Sequence, residues 1–422
     1  MNQKFFINNR NRFGELMKDN SLAIFFSGRT IQKSADQEYP FEVDKYFYYL
    51  CGVNQANCVL TILKKRNELI TSIFIEENDP ILIKWVGKKF TKEEVSQMSG
   101  ICQVYYQNQF DNHLFGLFNN SRYQSDCIRI VYLNLERINN PGYTNLALEF
   151  SKNIMTLKYP EVSIINAYEL VLGLRMIKSE EEVALVKSSL KTTKKGIETL
   201  MSHAQAGLFE YQLEAYFDWQ VKCDGNRELA FETIAASGKN ATILHYVDNN
   251  HQLKNDDLVL FDLGSRTEFY VSDITRVFPV SGKFNARQKE LYEAVLDVNK
   301  QCINFLKPGL SWAEYNKFAK DLLISHAYQL GLIKEDQEIS KYYYHSIGHS
   351  LGLDTHDPNL FDLGIKEGMI ITVEPGLYVE EEGIGIRIED NVLITKDGCE
   401  NLSQDIIKEV SSIEEFMATF KK

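Results

Sequence analysis

The sequence lacks several features that would assign it to a particular class of protein. Its seven cysteines are odd in number and include no CxxC pair, which argues against both a zinc ribbon and a disulfide framework. No apolar run approaches the about 20 residues that a membrane-spanning helix needs, and the first ten residues lack the apolar core of a signal peptide. We therefore expect reduced thiols, no membrane association and a cytoplasmic location.

Basic residues are also in the minority, with 46 Lys and Arg against 58 Asp and Glu and a net charge of -12. Because the two signs are mixed along the chain, there is no basic face for a nucleic-acid partner. The composition, 44% hydrophobic and 25% charged, is that of an ordinary globular protein. A chain of 422 residues is too long for one hydrophobic core, so we expect two domains.

Residues 1–172 predict a smaller N-terminal α/β domain, because β-rich runs alternate there with amphipathic helices. We expect strands at 58–63, 72–75 and 128–133, and a capping box that begins a helix at Thr91. This part of the sequence contains neither a phosphate-binding loop nor a convincing catalytic cluster.

Residues 173–422 predict a second, larger domain with an internal duplication. A pair of helices followed by an acidic pair of strands occurs once and then recurs after about a hundred residues. Capping boxes begin three of these helices, at Ser179 with Glu182, Asn285 with Gln288, and Ser311 with Glu314. A further helix is predicted at 210–224, and strands at 231–235, 242–246, 258–263, 270–278, 342–346, 369–373 and 384–395.

Four carboxylates occupy unusual places in or beside these apolar strands: Asp262, Asp273, Glu374 and Glu389. An ionised carboxylate is costly to bury unless it is paired or bound to a metal. For one residue alone the simpler explanation is an ordinary buried carboxylate: an aspartate satisfied by backbone amides or by Arg276, or Glu389 paired with Arg387. Such pairs do not explain four carboxylates in duplicated positions, because four converging anions repel one another strongly without cations. The set therefore predicts a metal site.

Three of the eight histidines, His345, His349 and His356, fall within twelve residues beside a glycine-rich stretch. A lone histidine is more often structural, but this cluster precedes an acidic pair of strands and favours a functional site. The spacing of His345 and His349 is HxxxH, yet Ser346 stands where the HExxH zinc proteases have glutamate. We therefore reject a single-zinc protease.

The C-terminal half resembles the aminopeptidase P and prolidase group of pita-bread metallopeptidases. The matching stretches follow the family order and are 236–246, 261–264, 272–276, 345–349, 351–357, 372–378 and 385–390. Near the N-terminus, 39–41 and 46–52 resemble the N-terminal domain of aminopeptidase P. The resemblance implies an α/β (α+β) protein in which a pita-bread domain with pseudo-twofold halves follows a smaller N-terminal domain.

The resemblance also implies a role for each candidate residue. The metal ligands would be Asp262, Asp273, His349, Glu374 and Glu389, with Asp273 and Glu389 shared between two divalent ions. The substrate site would contain His245, His345, His356 and Arg387. Among these residues, Glu374, His356 and His245 would act in catalysis. Both the oxygen-rich ligand set and the resemblance favour manganese.

The expected activity is removal of the N-terminal residue from peptides with proline in the second position. In this hypothesis a metal-bridging hydroxide attacks the carbonyl of the Xaa-Pro bond. Two alternatives stay open: a prolidase that cuts only Xaa-Pro dipeptides, and a catalytically silent pita-bread protein that binds a partner. We also expect a homodimer or homotetramer, because members of the family often form such assemblies.

Overall fold

The computed structural model describes residues 1–119, 128–138 and 144–420. The chain divides into two compact units, Met1–Arg175 and Met176–Lys422, and the predicted boundary at 172 and 173 lies within helix Tyr168–Met176. Six cysteines are free thiols, and Cys127 lies outside the described residues. Within the described parts of the chain, no helix is both long and apolar enough to cross a membrane.

The N-terminal unit contains a mixed six-stranded sheet in the order β6-β5-β4-β1-β7-β8. Its strands are β1 (Ser21–Phe26), β4 (Val59–Lys65), β5 (Glu68–Ile75), β6 (Gln103–Tyr106), β7 (Ile130–Leu133) and β8 (Ser163–Asn166), and a separate hairpin joins β2 (Gln32–Ser34) to β3 (Gln37–Glu38). All three strands predicted in this part are confirmed as β4, β5 and β7. Leu22, Ile24 and Phe74 from the sheet lie in the hydrophobic core, because their side chains face the helices rather than water.

The helices of this unit are α1 (Gln3–Leu16), α2 (Lys45–Cys51), α3 (Ile83–Val86), α4 (Lys92–Ser99), α5 (Phe110–Asn119), α6 (Leu146–Phe150), α7 (Thr156–Lys158) and α8 (Tyr168–Met176). The capping box at Thr91 is confirmed, since its hydroxyl accepts from the Glu94 amide at the start of α4.

Long helices of the C-terminal unit begin where the sequence predicts. They are α9 (Glu180–His203), α10 (Glu210–Cys223), α11 (Ala286–Phe305) and α12 (Trp312–Gln329), and α13 (Val410–Ala418) lies near the end of the chain. The boxes at Ser179, Asn285 and Ser311 are all present. Each box satisfies backbone amides that a helix start would otherwise leave without a partner.

The strands of the C-terminal unit form small antiparallel sheets, one set in each half. The first half has β9 (Ile234–Ser237), β10 (Leu258–Leu263), β11 (Arg266–Thr267), β12 (Tyr270–Val271) and β13 (Ile274–Pro279), with the sheet order β13-β10-β9 and the hairpin β11-β12. The second half has β14 (Ile370–Val373), β15 (Gly376–Val379), β16 (Ile384–Arg387), β17 (Asp390–Ile394) and β18 (Cys399–Asn401), with the order β14-β17-β18 and the hairpin β15-β16.

Two predicted strands of this unit are wrong. Residues 242–246 end a 3-10 helix (Gly238–Thr242) and continue as a turn, and residues 342–346 follow another 3-10 helix (Asp336–Lys341) irregularly. Both segments are rich in aromatic and β-branched residues, which favour strands. In the folded chain their polar groups bond to side chains and loops instead, as when the Tyr246 hydroxyl donates to Glu210.

Candidate active site

One cavity of about 460 Å³ in the C-terminal unit brings together every residue that the sequence predicts for the site. Its walls include the five predicted metal ligands and the four predicted substrate residues, namely Asp262, Asp273, His349, Glu374, Glu389, His245, His345, His356 and Arg387. Phe231, Ile234, Leu244 and Val247 add an apolar part to the lining. The cavity therefore combines a charged cluster with an apolar surface, as binding sites commonly do.

Three of the four carboxylates stand where the backbone leaves a regular strand ladder, and Asp262 lies inside the ladder of β10. Asp262 lies near the end of β10, Asp273 separates β12 from β13, Glu374 follows β14, and Glu389 separates β16 from β17. The two longest predicted strands, at 270–278 and 384–395, are thus each divided near the acidic residue. All four carboxylates line the cavity.

Hydrogen bonds between the two halves hold the carboxylates together. The buried Asn391 accepts from the Asp273 amide at 3.1 Å and donates to the Asp273 carbonyl at 2.6 Å. The Glu389 amide donates to the Thr275 carbonyl at 3.1 Å, and the Thr275 hydroxyl donates to the Glu389 carboxylate at 2.7 Å. Asn391 and Thr275 were not among the predicted site residues, although an asparagine and a threonine in buried strands beside acidic residues are a usable signal.

His349 faces the carboxylates with one ring nitrogen. Its Nδ1 donates to the Ser350 carbonyl at 3.0 Å, which leaves Nε2 directed at the cluster. Nε2 lies 3.4 Å from Asp273 Oδ2 and 3.6 Å from Glu374 Oε1. Donor atoms of Asp273, His349 and Glu389 all lie within 4.8 Å of one another, which is close enough for a shared metal ion.

The electrostatics of the cluster also fit a cation. Burial raises the pKa of Asp273 and of Glu389 well above their ordinary values, and the neighbouring carboxylates raise each pKa further. Burial likewise raises the pKa of Glu374. Asp262 Oδ1 is buried without a hydrogen-bond partner among the described residues. Oxygen-rich donors with mutual repulsion and an unpartnered oxygen suit hard divalent cations.

The guanidinium group of Arg387 has a partner for each of its three nitrogens: Asp262, Thr275 and Tyr378. Its Nη2 lies 2.7 Å from Asp262 Oδ2, and its Nε donates to the Thr275 hydroxyl at 3.0 Å. Arg387 is therefore joined to Glu389 through Thr275, and not by the direct ion pair that the strand pattern suggested as an alternative.

Tyr378 connects Arg387 to His345. The Tyr378 hydroxyl accepts from Arg387 Nη1 at 3.0 Å and donates to His345 Nε2 at 2.8 Å, while His345 Nδ1 donates to the Ser346 carbonyl. Burial, with the charge of Arg387, lowers the pKa of His345 to about 3, so this imidazole is neutral. Tyr378 was not among the predicted site residues, because nothing in its sequence neighbourhood marks a role.

His356 and His349 are in edge-to-face contact, with ring centroids 4.4 Å apart. Burial and the neighbouring His349 lower the pKa of His356, so it too is a neutral imidazole near the cluster. His245 is exposed and also lines the cavity. His345 and His356 therefore lie beside the carboxylates without adding positive charge to the cavity at neutral pH.

Arg276 does not neutralise the aspartates. This buried arginine pairs with Asp390 at 2.9 Å and donates to the Glu389 carbonyl at 2.6 Å and to the Ile406 carbonyl at 3.1 Å. The alternative in which Arg276 satisfies Asp262 or Asp273 as an ordinary ion pair is therefore wrong. Arg276 instead supports the backbone behind Glu389.

Comparison with known proteins agrees with this geometry. The family described as Metallopeptidase family M24 matches residues 184–396, and the family described as Aminopeptidase P, N-terminal domain, matches residues 6–124. The Xaa-Pro aminopeptidase of Haemophilus influenzae is 33% identical over 97% of this chain and 96% of its own length.

Solved structures match over the whole chain. A Bacillus anthracis protein described provisionally as an aminopeptidase P is 44% identical with a TM-score of 0.96, and covers 100% of this chain and 99% of its own. Aminopeptidase P from E. coli with the inhibitor Pro-Leu is 28% identical with a TM-score of 0.91 and the same coverage. These matches confirm the predicted resemblance and fold class, and the chain belongs to metallopeptidase family M24.

Proposed function

We propose that this chain is a dinuclear-metal hydrolase that removes the N-terminal residue from peptides with proline in the second position. The observation that carries the proposal is the convergence of four carboxylates and His349 with three further histidines and Arg387 on one cavity. Membership of a metallopeptidase family and a full-length Xaa-Pro aminopeptidase relative support the same activity.

The residues that would hold the two metal ions are Asp262, Asp273, His349, Glu374 and Glu389. Carboxylate oxygens with a single imidazole form a hard ligand set, which favours manganese over structural zinc. Bound there, the ions would supply Lewis acidity and activate water for attack on the peptide carbonyl.

We propose that Glu374 carries the proton. Its Oε1 accepts from the Thr372 hydroxyl at 3.3 Å, and its Oε2 lies 3.7 Å from His345 Nδ1. We assign Glu374 the transfer of a proton from the attacking water to the leaving proline nitrogen, a step that a positioned carboxylate performs well.

The three histidines and Arg387 are assigned to the substrate. His356 would donate a hydrogen bond to the oxygen on which negative charge develops, electrostatic help that is strongest in a water-poor site. His245 and His345 would orient the peptide around the proline, and Arg387, held by Asp262 and Tyr378, would keep that wall in place.

The cellular location, the metal and the oligomeric state of the protein can also be proposed. We propose a cytoplasmic enzyme that uses manganese and works as a homodimer or homotetramer. Cell fractionation, metal analysis of the purified protein and light scattering would each test one part, and a protein that purifies as a monomer would contradict the assembly.

A peptide panel tests the activity. We expect cleavage of Xaa-Pro-Xaa tripeptides with added manganese, little cleavage of matched Xaa-Ala-Xaa peptides, and none in the presence of a chelator. A prolidase would instead cleave Xaa-Pro dipeptides only, because it requires a free carboxylate next to the proline.

A pair of variants tests the ligands. Asp273→Asn should abolish cleavage and lower the amount of bound metal, whereas the exposed Asp405→Asn serves as a matched control that should change neither. Undiminished turnover by Asp273→Asn would contradict the assignment of the metal site.

A further inference from the structure

His245 lies on a segment with little regular structure of its own. Residues 238–251 connect β9 to the approach to β10, and after the 3-10 helix Gly238–Thr242 they run as a turn and irregular backbone. His245 is exposed and lines the cavity, while the next residue, Tyr246, is buried. Something other than a strand ladder must therefore set the position of the imidazole.

A buried carboxylate outside the cavity binds this segment at several points. Glu210, at the start of α10, has no exposed surface. Its Oε1 accepts from the Ser237 amide at 2.6 Å, from the Ser237 hydroxyl at 2.7 Å and from Asn240 Nδ2 at 3.4 Å. Its Oε2 accepts from the Tyr246 hydroxyl and from the His251 amide, both at 2.9 Å.

The start of α10 adds backbone bonds to the far end of the segment. The Glu210 amide donates to the His251 carbonyl at 3.0 Å, and the Tyr211 amide donates to the Asn249 carbonyl at 2.7 Å. Glu210 thus joins residues before, beside and after His245 to one rigid helix. A side chain held through such contacts loses little further freedom when it engages a ligand.

The chemistry of the contact requires a carboxylate. Each oxygen of Glu210 accepts from a backbone amide, at Ser237 and at His251. Glutamine has only one acceptor oxygen, so in either orientation its amino group would face one of these N–H groups. One buried donor would lose its partner, which destabilises the local arrangement although the size of the side chain is unchanged.

We infer that Glu210 is a positioning residue for His245, acting through Ser237, Tyr246 and His251 and not through contact with substrate. The inference rests on the proposed function for the role of His245. Glu210, on helix α10, would thus support the peptide-binding wall of the cavity although it does not itself line the cavity.

A double-mutant cycle tests the inference on the full-length, metal-loaded protein. The affinity for the dipeptide Pro-Leu, the product expected from an Xaa-Pro-Leu peptide, is measured by calorimetry for wild type, Glu210→Gln, His245→Ala and the double variant. We expect Glu210→Gln to weaken binding about tenfold, the size of effect that loss of one buried hydrogen bond produces. The double variant should bind as His245→Ala does, because the effect of Glu210 passes through His245.

Glu214→Gln is the matched control. Glu214 lies one turn further along α10 and accepts one bond, from Asn249 Nδ2 at 2.9 Å, which a glutamine oxygen also accepts. Tyr246→Phe removes one donor to Glu210 and provides a milder variant if Glu210→Gln does not fold. We expect Tyr246→Phe to weaken binding less than Glu210→Gln and to show the same coupling to His245→Ala.

A spectroscopic readout separates this inference from the proposed function. The imidazole resonance of His245, assigned by its absence in His245→Ala, should move in Glu210→Gln or Tyr246→Phe and stay in place in Glu214→Gln. The inference would be overturned if the resonance did not move. It would also be overturned if the fold-losses of Pro-Leu affinity in the two single variants simply multiplied in the double variant. Failure of the wild type to cleave or bind proline peptides would instead contradict the proposed function, while the resonance still reports on Glu210.

Discussion

At the residue scale, burial and mutual repulsion disfavour the ionised form of the carboxylates in the site. Asp273 and Glu389 are buried, and each is surrounded by the other carboxylates, so the pKa of each lies well above the ordinary 3.8 and 4.5. Arg387 and His349 compensate only part of this repulsion, since Arg387 pairs with Asp262 and with Tyr378. A bound cation would relieve the remainder.

The metal-free protein should therefore lose stability as the pH rises. Above about pH 4 the unfolded chain releases protons that the folded protein still holds on Asp273 and Glu389, so the stabilisation is complete below that pH and disappears as the pH rises through the elevated pKa values. Each pKa unit corresponds to about 1.4 kcal/mol. Thermal unfolding with a chelator between pH 4 and pH 8 measures the effect.

The variant Asp273→Asn tests the same repulsion by thermal unfolding in the presence of a chelator. Removing one negative charge should make the chelated protein more stable at neutral pH and flatten its pH dependence, even though the variant loses activity. A chelated variant less stable than the chelated wild type would mean that the carboxylate is not under repulsion in the metal-free fold.

Tyr378→Phe should weaken the link between Arg387 and His345. The substitution removes a hydroxyl that accepts from a charged group at 3.0 Å and donates to His345 at 2.8 Å. Loss of a hydrogen bond to a charged group costs about 1.5–3 kcal/mol, so we expect kcat/KM to fall about tenfold or more. Tyr342→Phe is the control, because its hydroxyl bonds to the exposed Glu381. Equal effects of the two substitutions would argue against the link.

At the scale of elements, the segment that carries His349 is laid directly against β14. The Glu374 amide donates to the Ile347 carbonyl, the Thr372 amide donates to the His349 carbonyl, and the His349 amide donates to the Thr372 hydroxyl. This close approach depends on Gly348, because a Cβ there would overlap the Thr372 carbonyl oxygen. One glycine thus sets the distance between the histidine and a carboxylate of the site.

Gly348→Ala should therefore damage both stability and metal binding. Relief of the overlap requires the backbone to move, and overpacking of this kind costs about 1–3 kcal/mol. We expect a lower melting temperature and weaker metal binding in titration calorimetry. Gly173→Ala in α8 is the control, since an added Cβ there meets nothing within 4 Å and alanine favours a helix. Unchanged metal binding in Gly348→Ala would contradict the proposed spacing.

At the scale of the whole molecule, the duplicated halves of the C-terminal unit meet at the site. Asn391 of the second half bonds to Asp273 of the first, and Thr275 of the first bonds to Glu389 of the second. A ligand held by carboxylates from both halves would stabilise their association, because it binds the folded state and not the unfolded chain.

Removal of metal should consequently lower the melting temperature of the enzyme. At a metal concentration of one hundred times Kd, binding adds about 2.7 kcal/mol, which for a unit of this size is a shift of several degrees. Scanning calorimetry with chelator, and then with manganese restored, measures it. A melting temperature that does not respond to chelation would count against a metal site that joins the halves.

Elements whose signals are local could be predicted from the amino-acid sequence alone. Capping boxes act over three residues, so the starts of α4, α9, α11 and α12 could be predicted from neighbouring residues alone. The apolar strands β10 and β14 were equally clear. The site residues were predicted as a set because their order along the chain resembles that of a known family.

Which of these residues come together, and through which hydrogen bonds, depends on the tertiary structure. Asp273 and Asn391 are hydrogen-bonded although they are 118 residues apart in the sequence, and Glu210 and Tyr246 although they are 36 residues apart. No local pattern encodes such contacts, because they depend on how sheets and helices pack. For the same reason the segment at 242–246 has the composition of a strand yet folds as a turn, held by a buried carboxylate that its own sequence does not contain.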